Sequence, residues 1–120
     1  MILSERVKTG SFSRQQRLKN NRCVRAVIKD GRKFSVSGAK LFVLSNSLSV
    51  NRVAFTFTRH YGNAVARNRS RRISREVYRR YMQDLSSGND LVFLVYPNSD
   101  RFDIRVNQFN QLLKKSGLLK

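Results

Sequence analysis

Asn63–Tyr81 reads NAVARNRSRRISREVYRRY, and seven of its residues are arginine: Arg67, Arg69, Arg71, Arg72, Arg75, Arg79 and Arg80. Glu76 is the one acid in the run, and neither Pro nor Gly interrupts it. A helix is the natural conformation. At about 100° per residue, Asn68, Arg72, Arg75 and Arg79 share a stripe roughly 60° wide. Ala66, Ile73, Val77 and Tyr81 gather about half a turn away. One side is therefore expected to bury on a core while the other presents guanidinium groups. A guanidinium is planar, always charged and able to grip two phosphate oxygens at once. Solvated helix faces ordinarily mix signs through i,i+4 pairs. A face of one sign destabilises the helix unless an anion answers it. The stretch reads as a surface for a folded polyanion, and nucleic acid is the simplest one.

On the N-terminal side of this helix, Gly62–Asn63 turns the chain and Asn63 is placed to cap it. Before the turn, Arg52–Thr58 (RVAFTFT) alternates as a strand, with Val53, Phe55 and Phe57 on one side and Ala54, Thr56 and Thr58 on the other. On the C-terminal side, Ser86–Asn89 ends the region. Asp90–Tyr96 (DLVFLVY) is then a continuous apolar run, as in a strand buried on both faces, closed by Pro97. A long helix between two strands makes those strands parallel.

Further out, Leu18–Asp30 carries Cys23, Val24, Val27 and Ile28 at helical spacing, and Gly31 is a helix stop. Arg32–Val36 reads as a short extended piece and Lys40–Ser45 as a strand. The polar link Asn46–Asn51 suggests a hairpin into Arg52–Thr58. Asp103–Ser116 is a last amphipathic helix. The expected order is α-β-β-β-α-β-α in an α+β fold, with the helices on one face of a small sheet as a two-layer α/β sandwich. Residues 1–16 form a basic N-terminal arm, read as a solvated tail, and residues 17–120 a single domain.

The 120 residues carry a net charge of +18 with 40% apolar residues, enough for one modest core. Such a balance implies a polyanionic partner, because self-repulsion otherwise weakens the compact state. A membrane surface is the rival partner, but the helix lacks the bulky apolar face of an interfacial helix. No apolar run is long enough to span a bilayer and no signal-peptide core begins the chain. Cys23 is the one cysteine, so no internal disulfide forms; it reads as a structural thiol among Val24, Val27 and Ile28. A soluble, cytoplasmic protein without membrane partner is expected.

Catalytic chemistry is missing from the inventory. His60 is the single histidine, the seven acids are scattered, and no metal-ligand or nucleotide motif occurs. Asp100 and Asp103 flank a strand–helix loop, where a capping role fits better than a metal site. No protein-borne catalytic residue and no protein metal site are expected.

The stretch RVAFTFTRHYGNAVARNRSRRISREVYR resembles the signature region of the bacterial ribonuclease P protein subunit. The matching residues are Gly62-Asn63-Ala64-Val65, Arg67-Asn68-Arg69, then Arg71, Arg72, Arg75 and Glu76. Arg17-Leu18-Lys19, Gly31, Tyr96-Pro97 and the basic last helix extend the likeness over roughly residues 17 to 118. The resemblance implies a protein cofactor of a catalytic RNA, the pair removing the 5′ leader of precursor tRNA with Mg²⁺ at the RNA's active site. It implies a left-handed β-α-β crossover carrying the Arg-rich helix, against the usual right-handed rule. It places contacts to the RNA subunit on Arg67, Asn68, Arg69, Arg71, Arg72 and Arg75. It places the pre-tRNA leader on Val24, Ile28, Phe42, Leu44, Thr56, Thr58 and Arg59. The family often carries aromatics where Val24, Ile28 and Leu44 stand here, which weakens base stacking at those positions. Phe42 alternates correctly for the same face but is equally well explained as core. A monomeric protein within a ribonucleoprotein is expected. The alternatives are a structural ribosomal protein binding rRNA, and a DNA-binding regulator with the helix in a major groove.

Overall fold

The computed structural model describes residues 16–58, 61–97 and 100–120. The chain runs α1 (Asn21–Asp30), β1 (Arg32–Val36), β2 (Ala39–Ser45), β3 (Arg52–Phe57), α2 (Ala64–Tyr81), a 3₁₀ turn (Met82–Asp84), β4 (Asn89–Val95) and α3 (Phe102–Ser116). The α-β-β-β-α-β-α order is the expected one. The N-terminal arm, Arg59 and His60 lie largely or wholly outside the described residues.

The strands form one sheet in the order β1-β2-β4-β3. The expected hairpin between β2 and β3 is not made: β4 lies between them, antiparallel to β2 and parallel to β3. The reason is the apolar content of β4. Leu91, Val92, Phe93 and Val95 are all fully buried, and only the middle of a sheet covers both faces of a strand. The Asn46–Asn51 link therefore spans the end of β4 instead of closing a turn. Its asparagines fasten it there. Asn46 Nδ2 donates to Asp90 Oδ1 at 2.8 Å, and the Asn89 N–H donates to Asn51 Oδ1 at 2.9 Å. Arg52 of β3 completes the junction, its Nε and Nη2 donating to the two Asp90 oxygens at 2.8 and 2.7 Å.

Side-chain alternation gives the sheet two apolar faces. On one, Leu41, Val43, Val53, Leu91 and Phe93 meet Val77 and Tyr78 of α2 and Phe109, Leu112 and Leu113 of α3. The Phe93 and Phe109 rings stack at 4.1 Å, and Phe55 lies edge-on to Tyr78 at 6.0 Å. On the other, Phe42 and Val92 pack beneath Leu18 and Val27, with Cys23, Val24, Leu44, Ala54 and Leu94 around them. The helices thus do not all share one face: α2 and α3 do, while α1 covers the opposite side. Both faces of β4 are apolar, so a helix on one side alone would leave Val92 in water.

Gly31 does end α1, but not through a left-handed cap. Its φ is −77°. A Cβ there would lie 2.5 Å from the Val27 carbonyl oxygen and 2.8 Å from that of Val43. Only a residue without a side chain lets the helix end pass this close to β2.

Candidate nucleic-acid interface

α2 begins at a built cap. Asn63 Oδ1 accepts from the Ala66 N–H at 2.9 Å. Gly62 takes φ +138°, a conformation that L side chains rarely adopt. The first turns of α2 then sort their basic side chains. Arg67 reaches back, its Nη1 donating to the Gly62 carbonyl at 2.6 Å. Arg71 lies over the Phe57 ring at 5.1 Å and donates to Asn68 Oδ1 at 3.1 Å. Arg69, Arg72 and Arg75 stand exposed. Arg79 is answered by Glu76 at 2.6 Å, and Arg80 lies over the Phe102 ring at 4.6 Å.

Charge therefore divides along the helix. The C-terminal half neutralises or stacks its arginines internally. The N-terminal half, from Arg67 to Arg75, shows no ion pair to an acid among the described residues. Partial burial, then repulsion from Arg17, Arg71 and Arg79, pulls the Arg75 guanidinium below its ordinary value. A site that disfavours its own cation in this way gains when an anion arrives. The residues expected to contact RNA, Arg67, Asn68, Arg69, Arg71, Arg72 and Arg75, thus lie together over about two and a half turns.

The buried face of α2 differs from the expected stripe. Val77 is fully buried, but Ala66, Ile73 and Tyr81 are only half-buried, and Ser70, Ser74 and Tyr78 are buried beside them. Two serines face inward because α3 supplies a buried cation. Arg105 is 0% exposed. Its Nη1 donates to Ser74 Oγ at 2.6 Å, its Nη2 to Asp100 Oδ1 at 2.7 Å, and its Nε to Gln108 Oε1 at 3.1 Å. The Tyr61 hydroxyl donates to Asp100 and accepts from the Ser70 hydroxyl at 2.8 Å. Burial alone would raise the Asp100 carboxyl, but the hydrogen bonds from Tyr61 and Arg105 outweigh it and hold the group below its ordinary value. Burial and the Asp100 contact push the Tyr61 hydroxyl up. This network, which charge counting alone had missed, ties the entry and first half of α2 to α3. Periodicity carries the signal: Arg105 falls in register with Phe109, Leu112 and Leu113 on the apolar side of α3.

The residues expected at the leader cleft lie across the sheet from α2. Phe42 is 6% exposed, packed between Val27 and Val92 as core. Val24 and Leu44 are half-buried beside it, and Ile28 is 41% exposed on α1. Thr56 donates its hydroxyl to the Phe93 carbonyl at 3.1 Å, and the Thr58 N–H donates to Val95 O at 3.3 Å. The structure brings Val24, Phe42 and Leu44 together in one cluster under α1, whereas Ile28 turns outward. Arg59 is outside the described residues. Among the described residues, no three of His, Cys, Asp and Glu gather as a metal site would require, and no helix is long and apolar enough to cross a membrane.

Comparison with known proteins accounts for this arrangement. The Ribonuclease P family profile matches residues 12–117. A ribonuclease P protein component from Natranaerobius thermophilus is 41% identical over 105 residues, covering 86% of this chain and 91% of the relative. One from Clostridium kluyveri is 36% identical over 109 residues, covering 87% and 96%. Among solved structures, the Thermotoga maritima RNase P protein in complex with 1-(4-fluorophenyl)-2-thiourea superposes with a TM-score of 0.75 at 24% identity, covering 82% of this chain and 98% of that one. The Staphylococcus aureus RNase P protein gives 0.78 at 18% identity, covering 88% and 98%, so the same fold persists where little sequence does. With its arginine helix braced on this sheet and a profile match over nearly its whole length, the chain belongs to the ribonuclease P protein family.

Proposed function

We propose that this chain is the protein subunit of a ribonuclease P ribonucleoprotein, binding the catalytic RNA through the N-terminal half of α2. Its partner RNA then carries out Mg²⁺-dependent removal of the 5′ leader from precursor tRNA. The observation that carries this reading is the unanswered guanidinium row from Arg67 to Arg75 on a helix that α3 holds rigid from behind. Mg²⁺ supplies Lewis-acid chemistry and an activated water. In this reading the ion is held by the RNA, and the protein contributes none of its ligands.

The protein's own contribution is electrostatic and positional. Arg69, Arg72 and Arg75 neutralise phosphates and release counterions. Arg67 and Arg71, pinned by Gly62, Asn68 and Phe57, arrive pre-oriented, which reduces the ordering cost on binding. On the α1 side, the leader has Ile28 and the half-buried Val24, Leu44, Thr56 and Thr58 as apolar and backbone contacts. Phe42 supports that surface from beneath, and stacking on it requires α1 to shift. The protein acts as a monomer within the complex.

The test is cleavage of a precursor tRNA at low Mg²⁺ by a bacterial ribonuclease P RNA, with and without the protein. Cleavage at the mature 5′ end only when both are present is the expected result. Tight RNA binding with no stimulation would favour a ribosomal role. The double variant Arg72→Glu/Arg75→Glu should fold normally and lose at least about a hundredfold in affinity for the RNA, since each reversal removes a charged hydrogen bond and adds repulsion. Unchanged affinity would remove α2 from the interface.

A further inference from the structure

The Arg71 guanidinium lies over the ring of Phe57, the last residue of β3, at 5.1 Å. That ring is held in turn by Tyr61, which meets it edge-on with 4.9 Å between centroids and 60° between planes. Tyr61 is 6% exposed, and both ends of the residue are fixed. Its backbone N–H donates to the Thr58 carbonyl at 3.1 Å. Its hydroxyl donates to Asp100 and accepts from Ser70, which stands between Arg69 and Arg71. Asp100 accepts from Arg105 Nη2 at 2.7 Å. One line of contacts therefore runs from Arg105 through Asp100, Tyr61 and Phe57 to Arg71. Arg67 hangs from the same segment, because the carbonyl that its Nη1 takes at 2.6 Å belongs to Gly62, the neighbour of Tyr61. Arg69 and Arg72 stand exposed outside this line, with no ion pair among the described residues. The core does not require the line, since α2 is seated on the sheet by Val77 and Tyr78 of its other half.

We propose that Tyr61 and Asp100 are positioning residues for RNA binding: through Phe57 and Gly62 they set the directions of the Arg71 and Arg67 guanidiniums, and they touch no RNA themselves. The inference rests on the reading of α2 as the RNA-binding helix and adds a layer behind it. A guanidinium grips two phosphate oxygens only when its plane is aimed at them, so direction counts as well as charge. A free arginine side chain loses rotamer freedom when RNA binds, whereas one already held has lost it in folding. Burial keeps Tyr61 from the RNA. The Asp100 carboxylate accepts from Tyr61 and Arg105, so it is turned toward the protein and away from phosphates that it would repel.

The experiment is a mutant cycle on the full chain, read as affinity for ribonuclease P RNA over a salt series. Tyr61→Phe removes one hydroxyl, keeps the ring beside Phe57 and changes no charge. It should weaken binding about threefold to tenfold and lower the magnitude of the log–log salt slope by about one, as for a lost phosphate contact. The change should lose its effect on an Arg67→Gln/Arg71→Gln background and keep it on an Arg69→Gln/Arg72→Gln background, since coupling is confined to groups that act together. Equal effects on the two backgrounds, or parental affinity and slope for Tyr61→Phe, overturn the positioning role and leave the α2 interface standing. Asp100→Asn should follow the same pattern at neutral pH, and where one variant fails to fold the other carries the cycle. NMR relaxation of the arginine Nε groups in the free protein gives a second readout. Arg71 should lose order in Tyr61→Phe while Arg72 does not, and unchanged Arg71 order overturns the proposal without reference to RNA. Failure of the parent protein to bind the RNA, with that loss of order seen, overturns the proposed function and not the hold on Arg71.

Discussion

Arg105 is a fully buried cation in a chain of net charge +18, and its neighbours explain why it is tolerated. Asp100, Ser70, Ser74 and Gln108 take its donors, so the cost of leaving water is met by hydrogen bonds on most sides. Removing the cation leaves Asp100 and two buried hydroxyls without it. Arg105→Met should therefore lower stability by about 3 kcal/mol, read from urea unfolding; a loss under about 1 kcal/mol would show that the network contributes little. The same carboxylate sets an acid response. Its folded value lies below its unfolded one, so its contribution is full above the ordinary carboxylate range and is lost as pH falls through the folded value. The stability gap between the parent and Asp100→Asn should accordingly narrow below about pH 4. A gap constant across that window would detach Asp100 from acid stability. The sequence reading assigns no role to Arg105 and gives Asp100 a capping one. The register of α3 contains the correction, but nothing in the sequence shows which serines on another helix will receive a buried guanidinium.

At the scale of elements, α2 and β4 were legible because each carries a strong local pattern. A seven-arginine helix with an Asn cap and an uninterrupted apolar strand have few other ways to fold. Strand adjacency was not legible, since the short polar link Asn46–Asn51 looks like a hairpin until β4 claims the central place. The side taken by α1 was hidden for the same reason: it depends on Val92 and Phe42 needing cover, which only the finished sheet reveals. Gly31 shows how an element boundary can be right for a different cause. Gly31→Ala should cost roughly 1–3 kcal/mol, because the added methyl meets two backbone carbonyls that have no side-chain freedom to yield. Thermal melting checks this, and a variant melting with the parent would mean that the end of α1 can move away from β2. Of the two candidate surfaces, spacing picks out Asn68, Arg72, Arg75 and Arg79 on α2, the last of which pairs with Glu76, while Arg67, Arg69 and Arg71 rest on the resemblance. The leader side is not picked out in this way, because alternation places Phe42 on the proper face without telling whether α1 already covers it.

For the whole molecule, a basic row on one side of the sheet and an apolar cluster under α1 on the other make RNA affinity, on the proposed function, chiefly a matter of phosphate contacts to α2. Five guanidiniums from Arg67 to Arg75 predict a log–log salt dependence of roughly −4. Filter binding or fluorescence anisotropy across a salt series measures it, and a slope near −1 would mean that most of the row never meets RNA.

The central position of β4 also governs when the molecule first exists as it leaves the ribosome. β3 emerges with no neighbour to pair with, and its partner residues run from Asp90 to Val95, beyond the whole of α2. At synthesis rates of about 5–20 residues per second, the interval between Phe57 and Val95 lasts roughly 2 to 8 seconds. All of α2 is synthesised within this interval, before β4 or Arg105 can stand behind it. The backing of α2 therefore completes late, when the last helix docks. A chain interrupted before α3 would retain most of its charge and lose its shape.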